Sequence, residues 1–438
     1  MSKLIIGNSF NDYLVGDLNS FDPLERTIGG NISLRLVWLA EPGDLVVLPQ
    51  PVNPEFVAYV MDFKGIPADS VTILVPPPGE FGTDVLTTDR LTEPAFERRL
   101  LKEARACGVD QVLPYVFDTV VVRICEELGL DTSAPNLAFL KEGGCELLNS
   151  KSLFRLIAAG AGVATADGVA THSRRRAERF VLDQFALGRP VIVKQDFHQG
   201  GHGNEILAPS AGVTQIGAGA LTVLDRPGAL ASHLAQRWPV YSNDERNKVV
   251  IEHYVPDSIP VGAEVEINDT GATVYHVGEM RMTPVFDGVV LPGETTTKAQ
   301  REEFRAATER LGKAIQALGY RGLINIDGIV SPDGEVRFTE YNGRLGGTTH
   351  LHWLGLTVAG EDYPDRAVFV SNNDWQVASF TAAIAELRAQ GLAYDAERSS
   401  GVVITCDHTQ QSGAIEYCVV GPDSESVAHT EAALKNLF

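Results

Sequence analysis

The sequence predicts a mixed α/β and α+β protein, with an α/β unit first, a strand-rich unit next and a small α/β unit last. Three observations carry that expectation. Short apolar runs alternate with helical patterns over residues 1–145, strand patterns cluster between residues 191 and 280, and two further strands flank the turn Ser331-Pro332-Asp333-Gly334. At roughly 100–200 residues per domain, 438 residues suit two or three domains.

Taken in order, residues 4–6, 45–48 and 71–75 are short apolar runs ending at Gly7, Pro49 and Pro76, and each reads as a strand. Residues 92–108 carry Phe96, Leu100, Leu101 and Ala104 at helical spacing. Thr92 is placed to cap that helix, Pro94 suits its first turn, and Gly108 suits the position after its end. A strand at 112–116 and a helix at 120–128, closed by Gly129, follow. Alternation of this kind predicts a parallel sheet. The run Pro76-Pro77-Pro78-Gly79 must be a loop. A second unit opens where Asn149 or Ser150 caps a helix with Leu153, Leu156 and Ile157 on one face, ended by residues 160–162. Strands are expected at 191–194, 205–207, 249–255, 264–267 and 273–280. A long helix over 297–318 then presents Phe304, Ala307, Leu311 and Ile315 as a stripe before Gly319. Strands at 323–330 and 335–342 form a hairpin. Helix 380–390, strands 401–407 and 415–420, and a final helix near 425–437 complete the chain. The expected domain limits are 1–145, 146–375 and 376–438.

Lysine and arginine total 36 against 57 acidic residues, a formal charge of −21. That balance opposes binding to nucleic acid or an anionic membrane surface. Apolar residues make up 44%, enough to offset ordering entropy, so most of the chain is expected to fold. No apolar run approaches the ~20 residues needed to cross a bilayer. The opening Met-Ser-Lys-Leu-Ile-Ile-Gly-Asn reads as a strand, with too short an apolar stretch for a signal peptide. Cys107, Cys125, Cys145, Cys406 and Cys418 form no Cys-x-x-Cys pair and read as buried thiols of a cytoplasmic protein.

Several common signatures are absent. The chain has no Gly-x-x-x-x-Gly-Lys-Ser/Thr loop, no Gly-x-Gly-x-x-Gly after a strand, no His-Glu-x-x-His and no Gly-x-Ser-x-Gly. The hairpin is more informative. With an even-numbered loop, Val330 faces Glu335, Asp327 sits opposite Phe338, and Glu340 sits opposite Asn325. Side chains alternate along a strand, so Asp327, Glu340 and Asn342 then share one face, with Asp327 and Glu340 as diagonal neighbours roughly 7–8 Å apart. Two carboxylates and an amide oxygen make the hard, oxygen-only set that Mg²⁺ takes beside phosphates. An odd-numbered loop puts Asp327 on the other face and removes the site; a solvated polar face is the plain alternative.

A second segment runs from the buried-type strand 191–194, ending in Lys194, into Gly200-Gly201-His202-Gly203-Asn204. Glycines let backbone N–H groups converge on phosphate oxygens, and Lys194 adds a point charge; an ordinary turn also fits. His198 and His202 read as loop residues ahead of metal ligands. In the third segment, Glu252-His253-Tyr254-Val255 ends a strand whose open backbone edge suits adenine, and Glu264 or Glu266 can hold ribose hydroxyls. Lys151, just after the helix cap, can reach the same phosphates. His350 and His352, on a strand-like stretch, lack obvious third and fourth zinc ligands.

In this order the pieces resemble the ATP-grasp family of carboxylate–amine ligases, over residues 149–352. The most specific part is Asp327 with Glu340-x-Asn342 and Arg344. The resemblance implies an ATP-grasp fold with an N-terminal Rossmann-like (pre-ATP-grasp) domain, a lid subdomain over about 150–255 and a metal-binding core over about 256–375. It implies ATP and Mg²⁺ as cofactors, Lys151 and Lys194 as the nucleotide lysines, and Gly200, Gly201 and Gly203 in a flexible lid. It further implies Glu252, His253, Tyr254 and Val255 at the adenine hinge, Glu264 (or Glu266) on the ribose, and Asp327, Glu340 and Asn342 on the metal. Asn204 stands where many members place a basic residue, so Arg344 or Arg281 is expected to assist the γ-phosphate and the acyl-phosphate. The pattern from Thr339 to His350, with the tail, looks most like the pheganomycin-type peptide ligases. The partners so implied are a small carboxylate and an amine or peptide acceptor, with a homodimer by analogy. Another ATP-grasp reaction, such as carboxylation, or a non-catalytic nucleotide-binding module are the alternatives.

Overall fold

A computed structural model of the chain describes residues 2–130, 137–435 and 437. The first unit holds β1 (Ser2–Ile6), β2 (Leu45–Val47), β3 (Thr72–Leu74) and β4 (Val109–Pro114), all parallel, in the order β3-β2-β1-β4. Parallel strands need crossover connections that cover both faces, which is why Leu4, Ile5, Ile6, Leu45, Val46 and Val47 are fully buried. Helix Pro94–Ala106 turns Phe96, Leu100, Leu101 and Ala104 inward, but its cap is Glu93, whose carboxylate accepts the Ala95 and Phe96 amides. Thr92 instead closes the short helix Thr88–Leu91. Helices Pro23–Asn31 and Pro54–Lys64 lie in stretches to which the sequence pattern assigns no element.

The second unit is a five-stranded sheet with β5 (Gly168–Thr171), β6 (Val191–Gln195), β7 (Asn204–Ala208), β8 (Ala220–Val223) and β9 (Val249–His253), in the order β5-β9-β6-β7-β8. It leads into an eight-stranded sheet built from β10 (Ile259–Asn268), β11 (Gly271–Met282), β12 (Phe286–Leu291), β13 (Gly322–Val330), β14 (Val336–Asn342), β15 (Val368–Gln376), β16 (Gly401–His408) and β17 (Ala414–Gly421). Its order is β14-β13-β10-β11-β12-β15-β17-β16. Helix Lys298–Leu318, capped by Thr297 and stopped at left-handed Gly319, lays Phe304, Ala307, Leu311 and Ile315 on this sheet. Helix Lys151–Gly160, capped by Ser150, packs there too. Its buried face is Lys151, Phe154 and Ala158; of the expected face, Ile157 packs against this core and Leu153 is half-buried, while Leu156 is 65% exposed.

The last unit adds β16 and β17 to the edge of the large sheet and shares one apolar core with the first unit, in which Leu4, Val47 and Trp38 pack with Val403, Ile404 and Val419. Trp38 Nε1 donates to the Thr405 carbonyl at 2.9 Å. The final helix is Ser424–Leu434, and part of its expected extension toward 437 lies outside the described residues. Residues 349–352 are the start of helix Thr349–Ala359, which corrects the strand-like reading of His350 and His352.

Candidate active site

The loop between β13 and β14 is odd-numbered, because Val330 pairs with Val336 around residues 331–335. An unbroken ladder from that start turns Glu340 away from Asp327. The ladder breaks once. Gly328 pairs with Phe338 and Asp327 with Glu340, leaving Thr339 as the extra residue of a β-bulge. The bulge shifts the register by one residue, so Asp327 faces Glu340 directly and Asn325 faces Asn342. Direct opposition, at about 4.5–5.5 Å between Cβ atoms, replaces the expected diagonal. The Thr339 carbonyl, on the bulge, accepts from Lys194 Nζ at 3.4 Å.

Cations surround this face. Lys151 Nζ lies 3.1 Å from Glu340 and donates to the His198 carbonyl at 2.7 Å. Lys194 Nζ lies 2.6 Å from Glu252, whose other oxygen is paired with Arg155. Asn342 Nδ2 donates to Asp327 at 3.1 Å, and the Arg344 guanidinium donates to Asn342 Oδ1 at 3.0 Å and the Leu345 carbonyl at 2.9 Å. Burial and the Glu340 charge raise the pKa of Asp327. Burial opposes the charge of Glu340 as well, but Lys151 and Lys194 outweigh it and hold that carboxyl below its usual range. A half-buried acid pair with one member pushed toward protonation is a face that a divalent cation would recharge. Two carboxylates and an amide oxygen therefore fit Mg²⁺.

The face opens on a cavity of about 760 Å³, also lined by Lys194, Gly200, Gly201, Gly203, Glu252, His253, Tyr254, Val255 and Arg344. Such a volume suits a nucleotide-sized ligand. The His253 and Tyr254 amides are bonded to the carbonyls of Asp167 and Pro190, leaving the Val255 amide without a hydrogen-bond partner among the described residues. The Tyr254 hydroxyl holds the 214–216 loop through the Thr214 carbonyl and Ile216 amide. The glycine loop lies down on the large sheet, with the Phe286 amide donating to the Gly200 carbonyl at 3.1 Å. Gly201 has φ +84°, and a Cβ there would sit 2.9 Å from the Gly217 carbonyl oxygen, so only glycine fits.

Residues 33–130 match the pre-ATP-grasp domain, and residues 150–352 match the ATP binding domain of the carbamoyl-phosphate synthase L chain. The chain carries the domains and fold of the ATP-grasp superfamily. Residues 382–434 match the PGM1 C-terminal domain. No curated protein matches the sequence. Among solved structures, biotin carboxylase from Campylobacter jejuni, in a β-γ-ATP complex, is 14% identical with a TM-score of 0.61, over 100% of this chain and 91% of that one. N5-carboxyaminoimidazole ribonucleotide synthetase from Thermus thermophilus is 14% identical with a TM-score of 0.58, over 100% and 98%. The corresponding synthase from Aspergillus clavatus, complexed with ATP, is 12% identical with a TM-score of 0.57, over 99% and 97%.

Within this ATP-grasp fold several expected site residues lie elsewhere. Glu264 is fully buried beneath the cavity floor, bonded to Asn325 Nδ2 and to Thr349 Oγ1 at 2.9 and 3.0 Å, so it offers no oxygen to a ribose. Glu266, two residues on, accepts from its neighbour Asn268 and does not line the cavity either. Arg281 is turned to the far side of β11, paired with Glu431 and the Ser371 carbonyl, which makes it a structural ion-pair partner. His352 stacks on Tyr275 with ring centroids 3.9 Å apart and bonds the Tyr363 hydroxyl, a packing role. The sequence reading missed Asn325, two residues before Asp327 and so on the same strand face. Gly346 marks its place, since a Cβ there would overlap Asn325 Oδ1.

Proposed function

We propose that the protein is an ATP- and Mg²⁺-dependent ligase that joins a carboxylate to an amine through an acyl-phosphate. The supporting observation is the bulge at Thr339, which brings Asp327, Glu340 and Asn342 onto one face with Lys151, Lys194 and Arg344 around them. A carboxylate is a poor electrophile at neutral pH. Its oxygen attacks the γ-phosphorus and the bond to ADP breaks; the amine then attacks the acyl carbon, loses a proton, and phosphate leaves. Lys151 and Lys194 exchange Glu340 and Glu252 for phosphate oxygens. Arg344 stabilises charge on the acyl-phosphate and on the tetrahedral oxyanion. The loop over Gly200, Gly201 and Gly203 excludes water. Mg²⁺ held by Asp327, Glu340 and Asn342 supplies charge neutralisation at the phosphates.

The finer reading is a peptide ligase that joins a non-proteinogenic amino-acid derivative to a peptide amino group. The pattern from Thr339 to His350 supports it. The working division of the chain is 1–145, 146–375 and 376–438. Glu340→Ala should lower substrate-dependent ADP release by at least about a thousandfold with the fold intact; full activity would remove the metal assignment. Hydroxylamine should trap a hydroxamate when the amine is omitted, whereas AMP and pyrophosphate as products would defeat the acyl-phosphate. The likeness to biotin carboxylase favours carboxylation as the second reading, and bicarbonate-dependent ADP release would identify it. Tight ATP binding with no turnover would mark a non-catalytic module.

A further inference from the structure

Away from the hinge, the same cavity is walled by apolar side chains, among them Phe10, Ile28 and Ile32 of the first unit and Met280, Met282 and Phe286 of the β11–β12 hairpin. Two buried polar groups interrupt that wall. Arg35, 5% exposed, grips Glu416 of β17 through Nε at 2.6 Å and Nη2 at 2.7 Å. Its Nη1 has no partner among the described residues, and the side chain lines the cavity. Glu416 is held in turn by His408 Nε2 at 2.8 Å, and His408 Nδ1 by the Asn31 amide at 2.7 Å. The guanidinium is thus locked with one edge presented to the cavity.

Cys406, His408 and Glu416 lie close enough together to suggest a metal. Both Glu416 oxygens are committed to Arg35 and His408, however, and the guanidinium opposes a second cation. The other interrupting group is His276 of β11, 2% exposed, with both ring nitrogens buried and without partners among the described residues. Burial keeps this ring neutral, with a pKa of about 3, so it has one donor and one acceptor to offer. Buried polar groups in folded proteins are nearly always bonded. A ligand in the cavity would complete Arg35, whereas the His276 nitrogens are closed off from it.

Tyr115 sits beside Arg35 and also under the Arg344 guanidinium, 5.9 Å from its ring centroid. Two cationic forks therefore flank one tyrosine. Arg344 is tied to Asn342 of the metal face and Arg35 to Glu416 of β17, so the two forks offer separate seats, one for the carboxylate being activated and one for a second carboxylate. We propose that this wall is the acceptor subsite and binds an amine acceptor with a free carboxylate and an apolar side chain, the carboxylate on Arg35 and the amine turned toward the acyl-phosphate at Arg344. The inference rests on the ligase reading above and narrows its acceptor to an amino acid or a short peptide.

The test is calorimetric or thermal-shift titration of the full chain with Mg²⁺ and a non-hydrolysable ATP analogue. The added probes are L-leucine, L-phenylalanine and their homodipeptides, each as free acid and as C-terminal amide. Free acids should bind about ten- to a hundredfold tighter than amides, the worth of a charge-assisted hydrogen bond. Arg35→Lys keeps a cation against Glu416 but loses the fork, and should bring the two within about threefold. The double variant Arg35→Met with Glu416→Gln removes the buried pair without leaving a lone charge and should do the same. Equal binding of acids and amides by the wild type overturns the inference, as does absence of binding by either, or discrimination retained in both variants. Failure of the wild type to bind the nucleotide analogue is a separate result, and it would overturn the ligase reading together with this one.

Discussion

Glu264 shows how burial redirects a residue that the sequence offers as a ligand. Its spacing after the hinge makes it a reasonable ribose carboxylate, but spacing does not reveal depth, and the side chain lies beneath Asn325. Burial raises its pKa to about 8, against the partial relief given by Thr349 and Asn325. The folded state therefore holds a proton that the unfolded chain releases near its ordinary value. The stability associated with that proton is present at low pH and is lost as pH rises from about 4.5 toward about 8. Glu264→Gln should abolish this loss, so the variant should gain on the wild type by on the order of 1 kcal/mol per pH unit across that window. Denaturant unfolding at pH 5, 6.5 and 8 reads the difference; a constant offset would show that Glu264 does not carry the proton. Arg281 makes the same point, since an arginine on a strand has two faces to choose from and Glu431 holds it on the far one.

Much of the element pattern is readable from the chain. The stripe and Gly319 place helix Lys298–Leu318 almost to the residue, and strands rich in valine and isoleucine announce β6 and β9. Helix Ala229–Tyr241 is hidden because Pro239 lies inside it. Helix Thr349–Ala359 is hidden because it is apolar nearly all round and shows no periodicity. The hairpin is the instructive case. An even-numbered loop predicts the right shared face, yet the loop is odd and the bulge restores the face. A signal is present, since the buried residues run Val336, Phe338 and then Tyr341, and that change of phase marks an extra residue. Deleting Thr339 removes the unpaired residue and should leave a regular ladder in which Glu340 still faces Asp327. The expected outcome is a folded protein whose melting temperature still rises when Mg²⁺ is added with ADP; loss of that rise would show that the shared face of Asp327 and Glu340 is not enough to hold the metal.

At the scale of the whole molecule, the tail is not an appendage. β17 pairs with β15 and carries Glu416 to Arg35, while Trp38 of the first unit donates to Thr405 of β16. The first and last units, far apart in sequence, thus share a core that neither completes alone, and they meet where the proposed acceptor wall is formed. A chain cut after Val377 would expose that core on the first unit and leave Arg35 as an unpaired buried cation, a costly combination. The truncated protein should lose its cooperative thermal transition and bind an apolar dye at temperatures where the full chain does not. A truncated chain that melts cooperatively and still binds nucleotide would make the last unit an independent domain. In that case Arg35 would need a holder other than Glu416. The shared core predicts instead that the same contacts which stabilise the fold also fix the guanidinium at the cavity.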